Sequence, residues 1–200
     1  MRGVLSRRAA RADGGFTLVE LVVSIGILGV VMAGVTAVLL GALAANRETA
    51  VRLTESRDLQ FVNVYLADDM QGATSVVTGG TARCGTGTAA LELRGASYDP
   101  ASLTAQVTVV SYVLTTRTVD GVTTGSLHRL ACAADSSPAP TYPLTPASDI
   151  VVARSLAAAG PTATCSPSPC SAATTSVSLE LTPASGGSPV TVGGTRRTTP

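Results

Sequence analysis

Lysine and tryptophan are absent from this sequence, histidine occurs once, and aromatic residues make up only 3% of the chain. Charged residues are also few, at 14%, although the mean hydropathy of +0.36 is high for a soluble domain. The apolar residues must therefore be concentrated in one part of the chain, and most of them lie between Phe16 and Ala45. The length allows one ordinary domain plus a membrane segment, so a single core is expected.

The basic residues, all arginine, are unevenly distributed. Four of the fourteen lie in the first fifteen positions beside one acid, whereas from Phe16 onward ten arginines face twelve acids. A slightly acidic body without lysine lacks the dense basic patch that neutralises many phosphates. We therefore expect no nucleic-acid partner.

The scarcity of histidine also limits the possible catalytic and metal sites. A tetrahedral zinc site would need all four cysteines, or three of them with His128, and no paired two-residue spacing supports one. His128 lies on a predicted strand without a matched nucleophile and acid, so the sequence predicts no catalytic triad. We predict a protein that is not an enzyme and holds no metal or cofactor.

Two other motifs fit solvent-exposed structure better than chemistry. Asp68 and Asp69 are adjacent, so on a helix they would point about 100° apart and would not converge on one substrate. We assign both to a solvated helix face. The pairs Gly79-Gly80 and Gly193-Gly194 lack the flanking residues of a phosphate loop and are interpreted as turns or loose ends.

A long uncharged run decides the class of protein. Leu21 to Asn46 contains no charged residue, and a helix of that length would extend ~39 Å, which is enough to cross a ~30 Å hydrocarbon layer. The arginines before the run predict a cytoplasmic amino terminus and an extracytoplasmic body.

Two ordinary interpretations of this run remain open. A secretory signal could be cut near Ala42-Leu43-Ala44, and a plain single-pass anchor could hold a surface or binding protein in the membrane. The run is about twice the usual ~7 to 15 residues of a signal core. In addition, Glu20 lies inside its start, where a carboxylate is costly in a membrane helix unless it has a partner.

The segment Gly14-Gly15-Phe16-Thr17-Leu18-Val19-Glu20-Leu21 resembles the processing motif of type IV prepilins and pseudopilins. The resemblance rests on a combination: a basic leader, Gly at its end, Phe first, Glu fifth and then a long uncharged run. It implies that a prepilin peptidase cuts between Gly15 and Phe16 and that the new Phe16 amine is methylated. It covers about thirty residues.

The same resemblance gives Glu20 a role in assembly. Its carboxylate would pair with the Phe16 ammonium of a neighbouring subunit, and in a low dielectric such a pair fixes the register of packed helices. Gly26, Gly29 and Gly34 would let helices approach closely, although glycine is also common in membrane helices. The implied partners are the peptidase, other pilin subunits, an inner-membrane assembly platform with its ATPase, and membrane lipid.

The pattern after the membrane predicts an α+β fold, in which a long amino-terminal helix packs on a carboxy-terminal antiparallel sheet. Apolar residues at helical spacing extend the helix to about residue 76, and Asp120-Gly121 predicts a hairpin turn. The predicted division is a leader at 1–15, a membrane half-helix at 16–45, an extracytoplasmic half-helix at 46–78 and a β-rich domain at 79–200. The predicted strands are 89–93, 106–115, 126–131, 149–156 and 176–182.

All four cysteines fall in the predicted exterior, where oxidising conditions favour disulfides. Four cysteines allow three connectivities. Cys165 and Cys170 enclose a Ser-Pro-Ser-Pro loop and could close locally, which would leave Cys84 to pair with Cys132.

The sequence therefore predicts a minor or initiating structural subunit of a type IV pilus or a type II secretion pseudopilus. Shorter pieces around Leu66 to Met70, Ser111 to Leu114, Leu127 to Arg129 and Val177 to Leu181 resemble the J-type pseudopilin of type II secretion. The alternative is a membrane-anchored surface or binding protein that joins no filament. Nothing in the sequence chooses between secretion, DNA uptake, adhesion and motility.

Overall fold

The computed structural model describes residues 17–197 and has two compact units, one ending at Ala50 and the other beginning at Val51. The described region contains one long helix and eight strands, so the α+β class is confirmed. The elements are α1 (Leu18–Gly72), β1 (Ala73–Thr78), β2 (Ala89–Asp99), β3 (Thr104–Val119), β4 (Val122–Asp135), β5 (Ser148–Ala157), β6 (Thr162–Ser166), β7 (Ser176–Leu181) and β8 (Val190–Thr195).

The strands form two antiparallel sheets. The larger has five strands in chain order, β1-β2-β3-β4-β5, and the smaller has the order β6-β7-β8. The Asp120-Gly121 turn joins β3 to β4 with both residues at positive φ, 51° and 78°, as a two-residue hairpin of type I′ requires. The predicted hairpin is confirmed.

The sequence missed three strands. Because Ala73 continues the apolar helical spacing, the helix was expected to reach about residue 76. It ends at Gly72 instead, and the β-branched residues that follow it form β1. The strands β6 and β8 are short and consist mostly of Thr, Ser, Cys and Gly, so their composition resembles that of a loop.

Gly193 and Gly194 were wrongly interpreted as a turn or loose end, because both lie inside β8. A Cβ at Gly194 would lie 2.7 Å from the Leu66 carbonyl oxygen and 2.8 Å from Met70 Cγ. Glycine is needed here for close approach of the strand to the helix rather than for a turn.

The core of the second unit lies between the helix and both sheets. Val62, Leu66 and Met70 are fully buried on one face of α1, as helical periodicity predicts. From the larger sheet Tyr112 packs into this cluster, and from the smaller sheet Leu179 does the same.

The opposite face of the larger sheet is also covered. Val109 and Val113 of β3 point away from the helix into a second buried cluster with Leu130 and both Cys84 and Cys132. Chain segments before β2 and after β4 cover this cluster, and the Leu144 N–H donates to the Arg83 carbonyl at 2.7 Å. Both faces of β3 are therefore covered between Val109 and Val113, which explains why four of these five residues are apolar.

Candidate functional site

The amino-terminal half of α1 exposes its entire apolar surface within the first unit. Every large apolar side chain from Leu18 to Leu43 is more than half exposed. The helix is long and apolar enough to cross a membrane. Each such side chain gains ~1.5 to 3 kcal/mol on leaving water, so this segment requires a lipid or protein environment.

The start of this helix is fixed by Thr17. The Glu20 N–H donates to Thr17 Oγ1 at 3.3 Å, and the Leu21 N–H donates to the Thr17 carbonyl at 3.1 Å. Thr17 is therefore the N-cap, and Glu20 is the third residue of the helix, the spacing of a capping box. The carboxylate of Glu20 is exposed and lies in the first turn, where the helix dipole favours a negative charge.

The predicted cleavage and methylation positions, Gly15 and Phe16, lie outside the described residues. The structure therefore describes Glu20 but not the amine that the sequence assigned to it as a partner.

A hydroxyl inside the apolar segment, that of Thr36, is satisfied within the helix. The Thr36 hydroxyl donates to the Met32 carbonyl at 2.8 Å, so it can enter a hydrocarbon layer without an unpaired donor. A Cβ added at Gly26, Gly29 or Gly34 would meet no atom within 4 Å. The small-residue positions are therefore open to contact from another molecule.

In the second unit, one ion-pair network fixes the helix to the larger sheet. Arg129 of β4 binds the Asp69 carboxylate with two hydrogen bonds, Nε to Oδ2 at 2.7 Å and Nη2 to Oδ1 at 2.5 Å. The Tyr112 hydroxyl of β3 donates to the same Oδ2 at 2.6 Å, and the Arg129 guanidinium lies 5.1 Å from the centre of the Tyr65 ring. We call these four residues the Asp69 network.

The Asp69 network is largely withdrawn from water. The Asp69 side chain is 4% exposed and that of Arg129 is 14% exposed. Burial and the negative charge of Asp69 raise the pKa of Tyr112 far above its usual value, because both disfavour the phenolate. The hydrogen bond to Asp69 raises the pKa of Arg129, since it stabilises the charged guanidinium.

This network corrects one prediction and explains another observation. Asp68 is exposed as predicted, but Asp69 was wrongly assigned to the solvated face. The three residues whose charged or hydroxyl groups meet here, Asp69, Tyr112 and Arg129, come from three of the short pieces singled out in the sequence. Tyr112 shares one face of β3 with Val110 and Leu114, and this spacing of two is the sequence signal that could have placed it on the side of the helix.

Two further acids of the helix hold other parts of the second unit. Asp58 accepts a hydrogen bond from the Arg154 N–H at 2.7 Å, and Glu55 accepts one from the Ser185 hydroxyl at 3.0 Å. Acids on this part of the helix therefore contact the sheet and the segment between β7 and β8 rather than only solvent.

The cysteines form two disulfides, Cys84–Cys132 and Cys165–Cys170. This is the pairing that the short Cys165 to Cys170 loop favoured. All four thiols are consumed by it, so they are not available as zinc ligands in this state.

A buried carboxylate supports the loop that carries Cys84. Glu92 is 2% exposed and accepts hydrogen bonds from the Arg83 N–H at 2.9 Å and from Arg94 Nε at 2.7 Å. Ser111 accepts a hydrogen bond from the Cys84 N–H at 3.3 Å. The charge of Glu92 is therefore paired, and its second oxygen fixes the backbone just before the disulfide.

His128 lies near the surface. Its Nδ1 is 2.7 Å from Asp149 Oδ1, and 23% of the His128 side chain and 55% of the Asp149 side chain are exposed. The pair joins β4 to β5 across the sheet, which is the surface strand position expected for this histidine.

Comparison with known protein families places a prokaryotic N-terminal methylation motif at residues 10–36. This range includes Thr17, Glu20 and the first part of the exposed apolar helix. No curated protein and no solved structure matches the chain.

Proposed function

We propose, from a chain whose amino-terminal segment is type IV prepilin-like, that the protein is a structural subunit of a type IV pilus or type II secretion pseudopilus. The motif together with an apolar amino-terminal helix fits a single-pass, membrane-anchored protein. The proteins that carry this motif as pilins are structural, and we assign this chain a structural role as well.

The observation that carries the proposal is the combination of Thr17, Glu20 and the uncovered helix. The capped helix begins at Leu18, two residues after the cleavage point that the motif predicts, and its apolar side chains are exposed up to Leu43. A single carboxylate, that of Glu20, interrupts the apolar surface at its start. A helix that is apolar on all sides is unfavourable in water and fits a bundle of similar helices.

The proposed processing follows from that arrangement. A prepilin peptidase cuts between Gly15 and Phe16 and the Phe16 amine is methylated, which removes the leader at 1–15. In the assembled filament Glu20 pairs with the Phe16 ammonium of a neighbour. In low dielectric an unpaired carboxylate is costly, so the pair selects one register of the packed helices.

The proposed topology puts the amino terminus in the cytoplasm and the body outside. Residues 16–45 cross the membrane, α1 continues outside it as far as Gly72, and the residues from Ala73 onward form the β-rich domain. The two disulfides support an oxidising, extracytoplasmic location for that domain.

We further propose a minor or initiating role, as in J-type pseudopilins. The short sequence pieces that resemble this subtype contribute Asp69, Tyr112 and Arg129, which meet in one network. Because these three residues contact one another, we treat the short pieces that contain them as parts of one structural feature. The proposed partners are the peptidase, sibling pilins, the inner-membrane platform and its ATPase.

Mass spectrometry of the amino terminus, on protein from native membranes, tests the processing. We expect a chain that starts at N-methylated Phe16. A chain with Met1 intact would contradict the proposal and favour a membrane-anchored surface protein, and a chain that starts near Ala45 would favour a secreted one.

The register role of Glu20 needs a second experiment. We expect Glu20→Gln, which keeps the size of the side chain and removes its charge, to be cleaved normally. Its incorporation into filaments should fall at least about tenfold, which corresponds to ~1.4 kcal/mol. Asp68→Asn is a matched control, because it removes an exposed charge from the same helix at a distance from the predicted pairing. Normal incorporation of Glu20→Gln would contradict the assigned role.

A further inference from the structure

The hairpin between β3 and β4 extends beyond the strands that flank it. β2 pairs with β3 only as far as Val113, whereas β3 continues to Val119. On the other side, β5 pairs with β4 from Ala131 to Thr124. Residues 115–123 are exposed on both faces, and we call this segment the arm.

One edge of the arm presents unpaired backbone groups. In a two-residue hairpin the closing pair, Val119 and Val122, exchanges both hydrogen bonds, and pairs along the ladder then alternate. Leu114, Thr116 and Thr118 therefore direct their N–H and C=O groups away from β4. Within residues 17–197 no strand other than β4 pairs with β3 beyond Val113.

Other edges of the larger sheet are covered, at least in part. At β5 the Ala157 N–H donates to the Thr182 carbonyl at 2.8 Å and the Ala184 N–H donates to the Ser155 carbonyl at 2.7 Å. At β1 the Val76 N–H donates to a carbonyl of the segment before β7 at 3.2 Å. Native edges are usually covered or blunted, so the bare edge of the arm requires an explanation.

The arm edge also lacks most of the features that prevent strand addition. From Leu114 to Val119 there is no proline, and the β3–β4 ladder runs through without a register shift, so no bulge twists the edge away. Arg117 is the only charged residue of this stretch, and within the described residues no acid forms an ion pair with it.

A groove lies at the root of this edge, where β2 ends and the arm begins. It has a volume of about 520 Å³ and is lined mostly by small residues, among them Gly79, Ala89, Ala90 and Gly160, with Leu114 at the side of the arm. A strand added along the arm would take the position in the sheet that β2 holds further along β3, and its end would enter this groove.

We propose that the β3 edge from Leu114 to Val119 binds an extended segment of a different protein, which adds as an antiparallel strand. Backbone groups of Leu114, Thr116 and Thr118 supply the hydrogen bonds, and an acidic side chain of the partner lies opposite Arg117. Six residues give an edge of ~20 Å. This inference concerns the body and does not depend on processing at Phe16.

The charge of Arg117 argues against pairing between two copies of this chain. In a symmetric antiparallel pair centred on Thr116, each Arg117 would lie opposite Thr115 of the other copy. The two Arg117 residues would then be diagonal neighbours on one face, at positions ~7 to 8 Å apart, without an acid between them. A partner with an acid at that position satisfies the charge.

The test uses the full chain in membranes of its native host, with a photoreactive amino acid in place of Thr116. We expect one dominant adduct with a different protein, and a crosslinked peptide that contains an acidic residue. The same amino acid at Tyr98, which is 61% exposed on a paired strand, is the control for random collisions. An adduct no stronger than at Tyr98, or one only with a second copy, would overturn the proposal.

A pair of proline variants tests the edge itself. Thr118 and Thr123 face each other across the arm in a pair without mutual backbone bonds, and their hydroxyls are 2.8 Å apart. Proline at either position removes an outward N–H and damages the arm equally, but only Thr118→Pro blocks the β3 edge. We expect Thr118→Pro to lower the Thr116 adduct at least about fivefold and Thr123→Pro to change it less than about twofold.

Equal effects of the two prolines would overturn strand addition at this edge. Arg117→Glu should also lower the adduct, and an unchanged yield would overturn the acidic partner. If either proline variant fails to accumulate, the adduct from the otherwise unaltered chain still tests the proposal.

Discussion

Removal of the Asp69 carboxylate should destabilise the second unit far more than removal of its neighbour. Asp69→Ala leaves the Arg129 guanidinium, 14% exposed, without its ion-pair partner and the buried Tyr112 hydroxyl without its acceptor. Breaking a buried pair by removing one member costs about 3 to 5 kcal/mol, because the remaining charge is left uncompensated. At ~2 to 4 °C per kcal/mol, the melting temperature should fall by about 6 to 20 °C.

Near-ultraviolet circular dichroism of the full chain in detergent micelles is a suitable assay. All four tyrosines lie in the second unit, and two of them, Tyr65 and Tyr112, belong to the Asp69 network. The matched control is Asp68→Ala, which removes an exposed acid from the next position and should change the stability by less than ~0.5 kcal/mol.

A double-mutant cycle separates the ion pair from simple loss of packing. Arg129→Met in the Asp69→Ala background removes the stranded charge, so the double variant should be at least about 1 kcal/mol more stable than the sum of the single effects predicts. Equal melting temperatures for Asp69→Ala and Asp68→Ala, or strictly additive effects in the cycle, would refute the reasoning.

Two further predictions concern alkaline pH and the disulfides. The raised pKa of Tyr112 means that the unfolded chain loses its phenolic proton first, so the free energy of unfolding should fall above about pH 10 by up to ~1.4 kcal/mol per pH unit. Chemical unfolding at a series of pH values should show a shallower fall for Tyr112→Phe than for the unaltered chain. Parallel curves of stability against pH for the two proteins would contradict this. Replacing both residues of a disulfide by serine should cost about 4 kcal/mol for Cys84–Cys132, whose sequence separation is 48, and about 2 kcal/mol for Cys165–Cys170, whose separation is 5. If thermal unfolding showed equal losses of stability for the two replacements, loop closure would be excluded as the main cause of the stabilisation by the disulfides.

The elements with strong periodicity were predictable from the sequence. The uncharged run, the spacing of Val62, Leu66 and Met70, and the turn Asp120-Gly121 each have one favourable local structure, so the helix, its buried face and the central hairpin follow from short-range patterns. The methylation motif was equally accessible because it is contiguous.

The partners of buried polar groups were not predictable in the same way. Asp68 and Asp69 are identical in type, and only the position of the sheet makes one buried and the other exposed. The bond from Arg129 spans sixty residues of sequence, which no local pattern encodes. Likewise, Gly194 looks like a turn residue until the helix carbonyl beside it is known.

The cap at Thr17 has a consequence for the life of the molecule as a precursor and as a product. The Thr17 hydroxyl that caps the helix lies on the carboxy-terminal side of the predicted cut, so the precursor and the predicted mature chain both contain this cap. Removal of the leader at the proposed cut would therefore deprive the helix of none of the bonds that Thr17 makes, and it would change the charge only in front of the first turn. A peptidase could then act on the chain without any need for the membrane helix to refold.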